Sequence, residues 1–382
     1  MLPRRSTVLR CFVLGAAYVI VLVWVICADH RETSDGVAVS TAVKSQLSRD
    51  FSKLQFQYGG DSPLIPSVDL KNMSLLDLLM RVLDMSQHRP KNPHSFRYVV
   101  NAISVCSRDV FLLVYVHSSP SHFKQRMAIR QTWGNAKNFP DVVIKVIFLC
   151  GIVPTSENLS VQDALSLEAD YYNDIVQEDF VDTYRNLTYK GILGLKWVSA
   201  HCRHAEFLLK SDDDIFINMF SLVTHLQKIS SQRGKPVREL LLCHVWYGWK
   251  VMRDPRSKRY LSPSEFADDV VPVYCSGSSF IMTPDVAVAM YNASFRVPFF
   301  WIDDVYVTGM LAREVGVTQT HFDSAYMLFP EEFLQKFTER NLSSKLVVGH
   351  IDSINSLKIV WNKVLANRRH PNETIDITTK GP

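Results

Sequence analysis

The residues alone predict an α/β fold built on a parallel sheet, set behind an apolar N-terminal segment and a polar spacer. Three observations carry this. Short apolar runs rich in β-branched and aromatic residues alternate with helical periodicity from Val110 onward. One of these runs ends in three consecutive aspartates, and a charge-free stretch lies near the start. The chain has 382 residues, 47% hydrophobic and 21% charged, which excludes a disordered, collagenous or coiled-coil protein. Its formal net charge is +4, and Arg4, Arg5 and Arg10 supply most of that excess. The remainder is nearly neutral, so nucleic-acid binding has no electrostatic support.

The charge-free stretch is Cys11 to Ala28, 18 residues. As a helix it spans about 27 Å, close to a thin hydrocarbon core. Three arginines precede it and Asp29 follows, so the positive-inside rule keeps residues 1–10 in the cytosol and sends the rest across. A cleaved signal peptide ending at Ala28 is the alternative. The run is longer than an h-region of about 7–15 residues, which favours an uncleaved signal anchor. Either way the body is extracytoplasmic. Sequons at Asn72, Asn158, Asn186, Asn292, Asn341 and Asn372 agree, since chance would give about two. Asn186 is expected within a helix. Cys106, Cys150, Cys202, Cys243 and Cys275 belong to the body, while Cys11 and Cys27 flank the apolar run. No CxxC pair occurs, which argues against zinc, and an oxidising lumen would allow two disulfides with one thiol left over. Their pairing is open.

Residues 29–93 read as a Ser-rich stem with one amphipathic helix, Ser74 to Met85, free or docked on the body. Residues 94–382 form the body. Its expected elements are a strand over Val110 to His117, a helix capped by Ser121 and running through Trp133 to Gly134, and a strand over Val142 to Cys150. Helices near Ser160 to Tyr171 and over Asp182 to His201 follow, then a strand over Ala205 to Lys210 and a helix to Ile229. After Pro236 the pattern is more irregular. Strands are expected at Glu239 to Val245 and Val273 to Thr283, with helices after Pro284, near Asp303 and over Ile354 to Leu365.

Chemistry concentrates in four places. KSDDDIFIN, Lys210 to Asn218, sets three carboxylates at the end of an apolar strand. Like charges a few Å apart repel by more than about 1 kcal/mol, and a divalent cation resolves that conflict. Strand ends are also where ligands bind in open α/β sheets. D-x-D spacing lets Asp212 and Asp214 project to one side. A solvated acidic turn is the alternative, weakened by the apolar residues on both flanks. The pair Asp303–Asp304 follows three aromatics and opens a helix, either as caps or with one acting as a general base in an apolar pocket. Arg126 and Arg130 share a helix face, to bind phosphate, to position a carboxylate or simply to be solvated. VYCSGSSFIMTPD, Val273 to Asp285, has a small-residue break fit for close ligand approach or a bulge, with no nucleophile elbow. No dinucleotide fingerprint and no P-loop lysine occurs. His350 is a lone histidine that matters only if folding brings it to the aspartates.

Six segments in one order resemble the β-1,3-galactosyltransferase family, which includes β-1,3-N-acetylglucosaminyltransferases and, distantly, Fringe. They are RMAIRQTWG, EDFVDTYRNLTYKGILGLKWVSAHC, KSDDDIFIN, RDPRSKRYLSP, VYCSGSSFIMTPD and IDDVYVTGML, within Val110 to Trp361. The resemblance implies a glycosyltransferase-A type fold with a Rossmann-like central sheet, an inverting mechanism, a UDP-sugar donor and Mn²⁺. It implies a type II Golgi membrane protein with its catalytic part in the lumen. It assigns Asp212, Asp214 and His350 to the metal, with Asp214 foremost. It assigns Arg126, Arg130, Asp212 and Asp213 to the nucleotide, and makes Asp304 the base that deprotonates the acceptor hydroxyl. It places Asp303 in the catalytic site too, where many members carry Glu; one methylene shorter, it is expected to contact sugar or acceptor differently, and SGSSF stands where relatives carry extra Gly and Tyr. RDPRSKRYLSP looks more like the galactosyl branch, so UDP-galactose and a glycan acceptor on glycoprotein or glycolipid are expected. The alternatives are UDP-GlcNAc or UDP-GalNAc on the same fold, or a catalytically silent glycan-binding relative. A metal-dependent phosphodiesterase would need further ligands.

Overall fold

Strand β2 (Leu112–His117) sends alternate side chains to opposite faces of a sheet, and both faces are buried. Leu113 and Tyr115 enter one core cluster, and Leu112, Val114 and Val116 enter another. Two apolar layers therefore sandwich the sheet. The computed structural model describes residues 92, 94–106, 109–154, 159–233, 236–337 and 346–369, all within the unit Lys91–Pro382. The apolar run Cys11 to Ala28, the stem with its Ser74 to Met85 helix, and the sequons at Asn72, Asn158, Asn341 and Asn372 lie outside the described residues. Among the described residues, no helix is long and apolar enough to cross a membrane.

The other strands are β1 (Tyr98–Val100), β3 (Ile144–Ile152), β4 (Ile175–Val181), β5 (Phe207–Asp212), β6 (Ile215–Ile217), β7 (Leu241–Trp246), β8 (Tyr274–Met282), β9 (Thr320–His321), β10 (Tyr326–Met327) and β11 (Val348–His350). The main sheet runs β1-β4-β3-β2-β5-β8-β7-β9, and a smaller one runs β10-β11-β6. The expected parallel sheet is present only in part. β4, β3, β2 and β5 are parallel, but β1 pairs antiparallel with β4, β8 with β5, and β7 with β8. The main sheet is therefore mixed. The reason is connectivity: no helix lies between β7 and β8 to carry the chain back to the starting edge.

Helices α1 (Phe123–Gln131), α4 (Met219–Arg233) and α7 (Ile354–Arg369) cover one face through Ile129, Leu222, Leu226, Leu357, Val360 and Trp361. Helices α3 (Leu187–Trp197) and α5 (Pro284–Ser294) cover the other through Leu193, Trp197, Val286 and Met290. Helix α2 (Leu159–Tyr172) joins β3 to β4, and α6 (Pro330–Phe337) packs Phe333 and Phe337 on Phe216 of β6.

Local expectations shift in three places. His122, not Ser121, caps α1, and the Ser121 hydroxyl pairs with that of Ser119. The long helix expected from Asp182 divides into a 3-10 turn Tyr184–Asn186, α3, and a π-helical turn Val198–Cys202. Asn186 caps α3 and is not inside it, its amide donating to the Val181 carbonyl at 2.8 Å. Strand β4 is not among the elements the sequence leads one to expect. The fold buries Gln177 against Gln162 and the Gly151 carbonyl, and Glu178 against Lys196 at 2.5 Å. The cysteine pairing is Cys106–Cys202 and Cys243–Cys275, with Cys150 free and buried.

Candidate active site

Strand β5 delivers Lys210 and Asp212 to the carboxyl end of the parallel strands. Lys210 is buried, meets Asp212 Oδ1 at 2.6 Å and donates to the Gly277 carbonyl of β8. Burial works against its charge, but Asp212 and Asp303 more than offset that and raise its affinity for the proton. Burial likewise pushes Asp212 up to about 6, with Lys210 opposing. The chain then turns through Asp213 and Asp214 into β6.

Asp213 turns away from the cleft. It accepts from the Ser118 hydroxyl at 2.7 Å and from His122 Nδ1 at 2.8 Å, and the latter bond raises the His122 pKa. Asp214 goes the other way. Antiparallel pairing of β11 with β6 sets His350 opposite Ile215, which brings His350 Nε2 to 3.3 Å from Asp214 Oδ2. Burial alone would raise Asp214, yet the His350 contact holds it below the usual carboxylate range. The lone histidine thus reaches the aspartates through a strand pairing that links positions far apart in the chain.

A hard cation fits the Asp214–His350 pair by donor chemistry: a carboxylate oxygen and an imidazole nitrogen, both on the cavity wall. Asp212 and Asp214 keep 39% and 56% of their side chains exposed, so neither is sealed off from an incoming ion. The three expected ligands are not gathered into one ready-made sphere. Among the described residues, the one trio with ligand atoms within 4.8 Å of one another is Cys106, Cys202 and His204, and there the two sulfurs are bonded. Asp214 and His350 would hold the ion directly, with its other positions left to ligand oxygens and water.

The second acidic pair opens a π-helical turn, Val305–Leu311. Asp304 caps it, its Oδ1 accepting from the Val305 amide at 2.9 Å. Thr308 accepts from the Cys275 amide at 2.9 Å, which fastens the turn to β8. Glycine at 277 makes the approach possible, since a Cβ there would stand 3.0 Å from Asp304 Oδ2 and 3.1 Å from its Cβ. Burial raises the Asp304 pKa, while backbone hydrogen bonds, Lys210 and Arg259 act in the opposite sense. Asp303 sits deeper. Its Oδ1 is buried without a hydrogen-bond partner against Gly191 of α3, where a Cβ would fall 2.2 Å away. Its Oδ2 is 3.8 Å from His117 Nδ1, and burial pushes its pKa to about 7.

Asp212, Asp214, His350, Asp303 and Asp304 all line one cavity of about 490 Å³. Two wall residues had escaped sequence reasoning. His117 ends β2 in parallel register with Asp212, and burial with Lys210 and Lys190 nearby keeps it neutral. Lys210 heads the acidic run itself. The signal for both was the alignment of adjacent parallel strand ends.

Arg126, Arg130 and Asp213 do not line this cavity. Arg126 is fully buried. It pairs with Glu168 at 2.7 Å and donates to the Ser118 hydroxyl and to the Ser119 and Pro120 carbonyls. Arg130 pairs with Glu168 at 2.6 Å and Asp174 at 2.7 Å, over the Tyr172 ring. Both arginines are thus internal and position carboxylates, so a solvated face does not describe them. The acids that claim them arrive on α2 and on the turn into β4, which helix spacing within α1 does not reveal.

The model of the galactosyltransferase family matches residues 124–323. Beta-1,3-galactosyltransferase 1 of Homo sapiens is 35% identical over 247 residues, covering 63% of this chain and 73% of that protein. Lactosylceramide 1,3-N-acetyl-beta-D-glucosaminyltransferase A of Danio rerio is 37% identical over 248 residues, covering 63% and 64%. Among solved structures, the galactosyltransferase LgtC with donor and acceptor sugar analogues aligns over 66% of this chain and 95% of its own at 7% identity. Its TM-score of 0.34 is too low to define a shared fold.

Proposed function

The chain belongs to the galactosyltransferase family and is a glycosyltransferase, and on that premise we propose that it transfers galactose from UDP-galactose to a glycan hydroxyl, as an inverting β-1,3-transferase of glycosyltransferase-A type. The observation that carries the reading is that Asp214 and Asp304, 90 positions apart in sequence, line the same cavity.

Asp304 is the base in this reading. The acceptor hydroxyl gives its proton to the Asp304 carboxylate as its oxygen bonds to the anomeric carbon of the donor. The bond from that carbon to the diphosphate oxygen breaks on the opposite face, and UDP leaves with the electron pair, so the configuration inverts. Asp214 and His350, with Asp212 on the same cavity wall, would hold a divalent cation, Mn²⁺ in the family's manner, whose chemistry when bound is to neutralise charge on the diphosphate. Lys210 joins Asp212 to the Gly277 carbonyl and so keeps the metal-side strand in register with the strand that supports Asp304. Asp303, beneath Asp304, packs the cavity floor against Gly191 and His117.

Transfer of GlcNAc is the second reading, favoured by the similarity to a lactosylceramide 1,3-N-acetyl-beta-D-glucosaminyltransferase. A lumenal Golgi location behind a type II anchor is supported by the Cys11 to Ala28 run and by two disulfides of the kind an oxidising compartment allows. The test is UDP release by the purified protein with Mn²⁺ across UDP-galactose, UDP-GlcNAc and UDP-GalNAc and a panel of glycosides, repeated on Asp304→Asn. That variant is expected to lose about 10²–10⁴-fold in kcat. Full activity in it would remove the base assignment, and no turnover with any donor would favour the silent glycan-binding alternative.

A further inference from the structure

A flap of irregular chain between β7 and β8, residues 247–273, roofs the cavity. It is rich in cations: Lys250, Arg253, Arg256, Lys258 and Arg259 fall within ten residues. Two of these serve the flap itself. Arg253 donates to the Leu261, Phe266 and Asp268 carbonyls, and Arg256 pairs with Asp254 at 2.8 Å. Lys250 and Arg259 do neither. Both line the cavity, and neither side chain makes an ion pair or hydrogen bond among the described residues. Lys250 is held by the backbone bridge to Val270, next to Trp249, whose indole is 40% exposed.

Arg259 stands on the acceptor side, and Lys250 lines the same cavity from the same flap. The Arg259 charge is close enough to Asp304 and Tyr274 to favour their ionised forms. An acceptor must lie beside Asp304 to give up its proton there. A diphosphate placed beside Asp304 would occupy the acceptor's space, and its charge would be met by the cation that Asp214 and His350 would hold in the reading above. Two cations lining the cavity, neither held in an ion pair or side-chain hydrogen bond among the described residues, suit an anionic group carried by the acceptor.

We propose that Lys250 and Arg259 form an anion subsite for a carboxylate or sulfate on the acceptor glycan, so that the preferred acceptor is an acidic saccharide. This rests on the transferase reading above. Trp249 offers an apolar face for the sugar ring beside that charge.

The experiment compares aryl β-glycosides in matched pairs, a neutral hexoside or N-acetylhexosaminide against its uronic acid or 6-sulfate counterpart, with the full chain and the preferred UDP-sugar. The expected result is kcat/KM about tenfold higher for the anionic member, shrinking as salt rises. Arg259→Ala and Lys250→Ala should collapse that ratio through the acceptor KM, and the charge-retaining Arg259→Lys should restore part of it. Equal use of neutral and anionic acceptors by the native chain would overturn the proposal. So would a rise in donor KM in the alanine variants with the ratio intact, since the cations would then belong to the diphosphate. Donor hydrolysis without acceptor reports separately on the transferase reading, so failure of the subsite and failure of the enzyme are distinguishable.

Discussion

Two groups of acids, one around α1 and one in the cavity, meet opposite fates. Around α1, Glu168, Asp174 and Asp213 each face a cation or donor at 2.6–2.8 Å: Arg130, Arg126, Ser118 and His122. Burial there opposes ionisation, yet the arginines hold Glu168 below the usual carboxylate range. In the cavity, Asp303 has an oxygen with no partner, Asp304 has its cap bonds, and Asp214 has a single half-exposed histidine. Paired acids hold the fold together. Acids left short of partners are maintained against their own repulsion and burial, which is the signature of a place awaiting a ligand.

The sharpest way to break this contrast is to remove one partner on the closed side. Arg126→Ala leaves Glu168 with Arg130 alone and frees the Ser118 hydroxyl and two buried carbonyls, and should cost about 3 kcal/mol, read as a lower denaturant midpoint. A native midpoint would mean that the closed side is not structural. On the open side, Asp214→Asn should leave the midpoint near that of the native chain while weakening divalent-cation affinity about 10–100-fold, seen as a shifted activity curve against Mn²⁺ concentration. The smallest effect separates the groups by pH. Asp303 binds its proton more tightly folded than unfolded, so its ionisation costs stability as pH rises from about 4 through about 7, the full cost being present above 7. Glu168 is the reverse: its contribution is present above its ordinary pKa and is lost as pH falls through its depressed one. Asp303→Asn should therefore raise Tm at pH 8, a gain that vanishes by pH 4. A gain that grows on acidification would reverse the assignment.

Much of the frame was legible in order along the chain. β2, β3 and β5 announce themselves as apolar runs because parallel strands are covered on both faces, and Asp212 and Asp214 stand out because three acids follow such a run. β4 was not legible, since Gln177 and Glu178 are buried by partners on α2 and α3 that local pattern does not contain. Nor was the division of labour among charges. Arg126 shares a helix face that fits a ligand as well as a carboxylate, and it is internal, whereas Arg259 stands out only as part of the RDPRSKRYLSP segment, Lys250 not at all, and both line the cavity.

By itself the sequence determined the central strands and most of the helices, where acids cluster, and which family the motifs resemble. Those depend on periodicity, propensity and spacing, all of which are local. The tertiary structure decided that Asp214 meets His350 through the β6–β11 pairing, that Asp304 seats itself against Gly277, and that Arg126 goes to Glu168. Whether a charged side chain binds a ligand or holds the fold depends on what stands within a few Å of it. Chain topology sets that neighbourhood, and neighbours in sequence do not.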